Sequence, residues 1–281
     1  MVKGKSEILF SKIATYLILS FCSIFSIFPF FWMISTALKP DTEIYSTTPS
    51  FFSNNFSLTN FIEVLNESDF LTFFKNSFFV SVVTTIIGLI IAVLAGYSLS
   101  RFGRYKSIKF AGFSLTVSQM VPGVLLLIPI YMIFKEIHLI NSYTALILAY
   151  STFVIPLSTF MMKGFLDSVS ISLEESAALD GASRFRTLVQ IILPVSIPSL
   201  VSTGLYTFVT AWNEYMFGYV LINDVAHRTL TPGITLFRGQ FTTDWGNLMA
   251  ASVLAVIPVT IIFAFLQRYL ISGLMSGAVK G

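Results

Sequence analysis

The chain has 281 residues, 55% of them hydrophobic and only 11% charged, against roughly 25% charged in an ordinary soluble domain. Its 17 Lys+Arg and 14 Asp+Glu are too few to cover a compact fold of this length, so much of the exterior faces lipid rather than water. The single Cys22 excludes a disulfide scaffold and a cysteine-rich zinc site, and a dispersed net charge of +3 gives no sign of nucleic-acid binding.

A helix needs about 20 apolar residues to cross the hydrocarbon layer. Six stretches of that order predict an all-α membrane protein with six transmembrane helices, at 13–38, 76–100, 110–134, 139–162, 197–222 and 245–267. None shows the alternation a strand requires. The basic residues ahead of 13–38 resemble a secretory leader, but the apolar run is too long and lacks a small-residue cleavage site, which predicts a retained helix. An even number of spans places both termini on one side of the membrane. Only Lys39, Lys75, Lys135, Arg228 and Arg238, of the 17 Lys+Arg, fall on the other side. Arg101, Arg104, Lys106 and Lys109 crowd one short loop, so the positive-inside rule predicts cytoplasmic termini. Pro29, Pro122, Pro129, Pro156, Pro198 and Pro258 lie within or beside spans. They fit helices that line a pathway, and equally the ordinary tolerance of transmembrane helices for proline.

The segment 164–196 is the one long cytoplasmic loop this topology leaves. Ser172 and Glu175 have the spacing of a capping box, which predicts a helix from Leu173, and Gly181 supplies the left-handed residue that would end it. Leu173, Ala177 and Asp180 share one face, with Glu174 and Ala178 beside it. A second short helix, capped by Ser183, is expected to run through Phe185, Leu188 and Ile191 until Pro194 stops it. Glu174, Glu175 and Asp180 are unfavourable beside anionic headgroups, so a protein partner is the better reading of this surface than lipid.

Glu175-Ser176-Ala177, Asp180-Gly181 and, after Ala182 to Gln190, Ile191-Ile192-Leu193-Pro194 resemble the EAA loop of permease subunits in binding-protein-dependent ABC importers. Ser176 departs from the pattern's first Ala but is nearly as small. Ala211-Trp212-Asn213-Glu214-Tyr215 and the tail Ser276-Gly277-Ala278-Val279-Lys280-Gly281 resemble the sugar branch, specifically the smaller permease of the maltose type. The resemblance implies one transmembrane domain over 1–281 that carries a sugar or oligosaccharide across a bacterial plasma membrane by alternating access. It implies that 164–196 holds a coupling helix seated in a cytoplasmic ATPase, with Glu175 as cap or contact, Ala177 and Ala178 packing closely and Gly181 making the turn. It also implies that the tail, 271–281, reaches the ATPase. The implied partners are a second permease, two ATPase subunits and an extracytoplasmic sugar-binding protein. ATP and Mg would sit on the ATPase, with no cofactor on this chain and no catalysis by it. The sequence agrees in having no phosphate-binding G-x-x-x-x-G-K-[ST] loop.

Glu214 is the one ionisable group well inside a predicted span, where insertion costs on the order of 3 kcal/mol, so it should not face lipid. Thr203, Thr207, Thr210 and Glu214 fall on one helical face with Asn213 at its side, and Tyr206, Trp212 and Tyr215 lie nearby. This stripe reads equally as a sugar pathway and as a helix interface. The segment 223–244 is expected outside, either as a contact for the sugar-binding protein or as a solvated loop. Competing readings are an importer of a non-sugar solute, an intramembrane enzyme, for which Glu214 alone supplies too little chemistry, and a channel, for which no filter segment is evident.

Overall fold

The computed structural model describes residues 5–48, 50–53, 55–239 and 241–278, with side chains described between Leu9 and Tyr269. The described residues form helices and connecting turns, with one isolated bridge between Arg238 and Thr243. The chain divides into two compact units, Met1–Ser68 with Ile234–Val256, and Asp69–Gly233 with Ile257–Gly281.

In the first unit, α1 (Lys5–Ala37) is followed by the short helices α2 (Asp41–Ile44) and α3 (Thr59–Asn66). The apolar side chains of α1 are exposed all round, Phe21, Ile24 and Phe25 among them, which is a surface for lipid or another protein and not for water. The helix is finished by polar groups. Asn60 Nδ2 donates to the carbonyls of Ala37 at 3.0 Å and Lys39 at 2.9 Å, satisfying acceptors that a helix end leaves open. Lys39 is only 4% exposed; its ammonium donates to the Ser50 carbonyl and lies 5.1 Å from the Trp32 ring centroid. Asn247 Nδ2 donates to Glu63 at 2.9 Å and to Asp244 at 2.7 Å, while Asp244 Oδ1 accepts from the Asn247 N–H and so caps the start of the last helix.

The second unit is built on α4 (Phe70–Phe102), followed by α5 (Lys106–Met120), α6 (Gly123–Glu136) and α7 (Tyr143–Leu166). Then come α8 (Ser172–Leu179), α9 (Arg184–Thr187), a π turn (Leu188–Ile192), α10 (Leu193–Val195), α11 (Ile197–Trp212), α12 (Met216–Leu221) and α13 (Leu230–Ile234). The final helix, α14 (Trp245–Ala278), begins in the first unit and ends in the second. Helices α4, α7 and α11 pack together, and a stripe of small residues on α4 explains how. Gly88, Ala92 and Gly96 recur every four residues; a Cβ on Gly96 would lie 3.0 Å from the Lys163 nitrogen and one on Gly88 3.2 Å from Thr207 Cγ2. Small residues allow this approach of backbones, which is how helices associate where no hydrophobic effect separates them from lipid.

Among the described residues four helices are long and apolar enough to cross a membrane, Leu9–Ala37, Phe70–Phe102, Tyr143–Leu166 and Trp245–Tyr269. The other two predicted spans are not straight. The stretch 110–134 is broken into α5 and α6 at an angle of 103°, because Pro122 donates no hydrogen bond and drives Val121 into an extended conformation, with φ −80 and ψ 118. The stretch 197–222 is divided by Asn213–Tyr215 into α11 and α12. The 16 residues of α11 rise only about 24 Å. The second predicted span begins earlier than its charge pattern indicated, at Phe70, and so takes in Lys75.

Candidate functional site

Two places in the second unit carry the polar architecture, the connection from Gly164 to Ser196 and the break at Glu214. In the connection, α8 starts at Ser172, one residue before the expected Leu173, and the capping box does not form. Ser172 instead shares a 2.7 Å hydrogen bond with the hydroxyl of Ser170, which leaves Glu175 exposed at the edge of a cleft. The helix ends at Gly181 with φ +78. There the Ala182 N–H reaches back to the Ala177 carbonyl at 2.9 Å and the Gly181 N–H to Ala178 at 3.1 Å. This paired closure satisfies the last carbonyls and needs a left-handed residue at its corner. Ala177 is buried, whereas Ser176, Ala178, Asp180 and Gly181 face outward, and so do Leu179 at 90% and Phe185 at 70% exposure.

Ser183 caps α9 as expected, its hydroxyl accepting from the Arg186 N–H at 3.3 Å. The chain does not stop at Pro194. It widens into the π turn, where the Leu193 N–H bonds to the Leu188 carbonyl, and helical structure continues through Pro194 to Val195. A π turn shifts the hydrogen-bond register by one residue, one way to accommodate a proline that has no N–H to give. Leu188 and Ile192 pack with Ala92, Tyr97, Met162 and Leu166, while Ile191 and Leu193 are half-buried and Pro194 is exposed.

Arg101, visible in the sequence only as a loop charge, and Tyr97 hold α8 to the body through Glu174, which was expected on the partner-facing surface and instead turns inward. The Arg101 guanidinium donates from Nε to Glu174 Oε1 at 2.5 Å, from Nη1 to the Leu166 carbonyl at 2.9 Å and from Nη2 to the Val169 carbonyl at 3.1 Å. Tyr97 donates to the other Glu174 oxygen at 2.7 Å. The Arg101 and Glu174 side chains are 9% and 15% exposed. Alongside, Asp167 accepts from Ser100 and Lys163, each at 2.6 Å. Partial burial works against its charge, but these hydrogen bonds and the nearby cations outweigh that and hold its carboxyl below the ordinary value. The signal in the sequence was Arg101 at the end of a span seventy-odd residues from an acidic helix, a pairing that spacing alone does not reveal.

At the second place Glu214 is a helix cap. Its two carboxylate oxygens accept from the N–H groups of Phe217 at 2.8 Å and Gly218 at 3.0 Å, restarting the helix as α12. Glu214 and Thr210 border a cavity of about 170 Å³ with Tyr150, Phe153 and Phe217. The rest of the stripe divides. Thr203 and Thr207 are fully buried, with Thr207 Oγ1 3.0 Å from Ser158 Oγ on α7, which places them in the packing of α11 against its neighbours. Asn213 is exposed at the break. Trp212 is no open ring face, being packed against Phe74 and Phe208 with centroids 5.5 and 5.7 Å away, whereas Tyr215 is 42% exposed and stacks on Tyr219. The following loop folds back onto α4. Asn76 Nδ2 donates to the carbonyls of Ala226 and Arg228, both at 2.8 Å, and Ser77 accepts from the Leu230 N–H. Of the tail, the backbone is helical to Ala278, with the Ser276, Gly277 and Ala278 side chains outside the described set, as are Val279, Lys280 and Gly281 altogether.

Residues 85–275 match the family described as the binding-protein-dependent transport system inner membrane component. The chain is 35% identical over 255 residues to the diacetylchitobiose uptake system permease protein DasC of Streptomyces coelicolor, covering 91% of this chain and 92% of that one. It is 34% identical over 262 residues to the trehalose/maltose transport system permease protein MalG of Thermococcus litoralis, covering 92% and 93%. In fold it is similar to a chain of a bacterial ABC transporter involved in the import of the acidic polysaccharide alginate, with a TM-score of 0.82, 20% identity and coverage of 96% and 99%. With its apolar helices, its small-residue packing and this match along most of its length, the chain belongs to the family of binding-protein-dependent transport system inner membrane components.

Proposed function

We propose that this chain is the permease subunit of an ATP-driven ABC importer that carries a sugar or oligosaccharide across a bacterial plasma membrane. It crosses the bilayer six times, with α5 and α6 counted as one span and α11 and α12 as another, and both termini are cytoplasmic. It works with a second permease, two cytoplasmic ATPase subunits that bind ATP and Mg, and an extracytoplasmic sugar-binding protein. The chain itself does no phosphate chemistry. The observation that carries the reading is the α8–Gly181–α9 unit. Ala177 and Thr187 are buried and Glu174 is tied to α4, while Leu179 and Phe185 stand out as apolar surface beside Glu175 and Asp180, a docking face with no internal purpose. The sugar branch is supported by relatives that match almost end to end and are themselves permease proteins of a diacetylchitobiose uptake system and a trehalose/maltose transport system.

In this reading, closure of the ATPase around ATP pushes α8, and the membrane helices pass between inward-facing and outward-facing arrangements. Glu175, Ser176, Ala178 and Gly181 meet the ATPase, Ile191, Leu193 and Pro194 hold the return to the membrane, and the tail adds a second contact. Thr210, Asn213 and Glu214 border the solute's path at the helix break. A photoreactive amino acid in place of Leu179 tests the orientation and the docking face together. Capture of a nucleotide-binding subunit from Leu179, and of none from Asn223, is the expected result. Adducts with lipid alone from Leu179 would contradict it.

A further inference from the structure

Helix α8 has eight residues and one buried apolar side chain, so packing alone gives it little grip on the helices it is meant to move. A lever transmits force only through a stiff joint. We propose that Arg101 is that joint, a positioning residue that clasps α8 to the ends of α4 and α7 so that the three move as one body. The proposal rests on the importer reading above.

The geometry is that of a clasp rather than of a surface ion pair. One planar guanidinium reaches three separate elements, the Glu174 carboxylate on α8, the Leu166 carbonyl that closes α7 and the Val169 carbonyl in the link between them. Tyr97, one turn earlier on α4, takes the second carboxylate oxygen, so both oxygens of Glu174 are held by the same helix. Arginine suits this position better than lysine, because its donors are spread over three nitrogens in a fixed plane and reach acceptors on three elements, whereas those of lysine diverge from one nitrogen. Both charged side chains are largely buried, which keeps salt from screening the pair and makes its loss costly. The most exposed apolar side chains offered to the ATPase are others, Leu179 and Phe185, while Glu175 and Ala178 border the cleft that Arg101 and Glu174 also line. Holding α8 and presenting it are therefore separate tasks of separate residues, and a variant can lose one while keeping the other.

The test uses the complete complex purified from its native membrane and placed in lipid vesicles. Asn213→Cys in a Cys22→Ser background reports on the helix break through its reaction with a membrane-impermeant maleimide, with and without ATP plus vanadate. With Arg101 intact, trapping the ATPase closed should change the labelling rate at least about fivefold. Arg101→Gln and, separately, Glu174→Gln should reduce that change to less than about twofold while the ATPase still co-purifies in the same amount. Arg101→Lys, which keeps the charge but not the fork, should fall between. A full response in both Gln variants overturns the clasp. So does loss of the ATPase in both, since the pair would then serve docking rather than transmission. If the intact complex binds no ATPase and shows no response to ATP, it is the importer reading that has failed.

Discussion

Replacing Glu214 separates the two roles its position allows. Truncation to Ala leaves the Phe217 and Gly218 N–H groups without an acceptor, and both residues are buried. Each orphaned buried donor costs about 1–3 kcal/mol, so Glu214→Ala should destabilise the chain by roughly 2–6 kcal/mol. Glu214→Gln keeps one carbonyl to accept at the helix start, orphans one of the two N–H groups and gives up the charge at the positive end of α12, a loss of about 1–3 kcal/mol. Thermal unfolding of the detergent-solubilised complex, followed by size-exclusion fluorescence, should rank wild type, Gln and Ala in that order, with Ala lower by several degrees. ATP-driven uptake by Glu214→Gln should stay close to wild type if capping is its main task. An Ala variant that melts with wild type would refute the cap, and a stable Gln variant without uptake would move Glu214 from structure to solute handling.

Gly181 has φ +78 and no atom within 4 Å of an added Cβ, so substitution there meets no clash, only the left-handed backbone. A Cβ in that conformation costs about 1–2 kcal/mol, and ATPase recovered per permease should fall in the order Gly, Asn, Ala, Val; equal recovery with Val would contradict this. Gly96→Leu should abolish a stable complex on size exclusion because α7 backbone lies 3.0 Å from the new Cβ, whereas Gly164→Leu, with open space around it, should elute as wild type does. Lys39→Met keeps the aliphatic stem but removes the bond to Ser50 and the charge over Trp32, and a stability loss of about 1–3 kcal/mol is expected in the same thermal assay.

Hydropathy located the membrane helices because lipid imposes a length and a composition that survive any fold. It did not reveal which of them break. Pro122 broke its helix, whereas Pro29, Pro156 and Pro258 sit inside continuous ones, so the outcome depends on neighbours that donate to the freed carbonyl. Gly181 was legible because only its own backbone decides the turn. The capping box at Ser172 was misread because Ser170, two residues earlier, competes for the same hydroxyl. Arg101 and Glu174 were each visible as charges, but their union is a tertiary fact with no local periodicity. The stripe expected to run as one face from Thr203 to Glu214 is cut where α11 ends at Trp212, which leaves Thr207 packed on α7 and Glu214 in the break as the cap of α12.

The central claim, a permease driven by a separate ATPase, is tested most directly by purifying the tagged chain from its native membrane in mild detergent and identifying what comes with it by mass spectrometry. A second permease and a nucleotide-binding subunit in stoichiometric amounts, with the latter diminished for Gly181→Val, is the predicted result. A single polypeptide species in both preparations would contradict it.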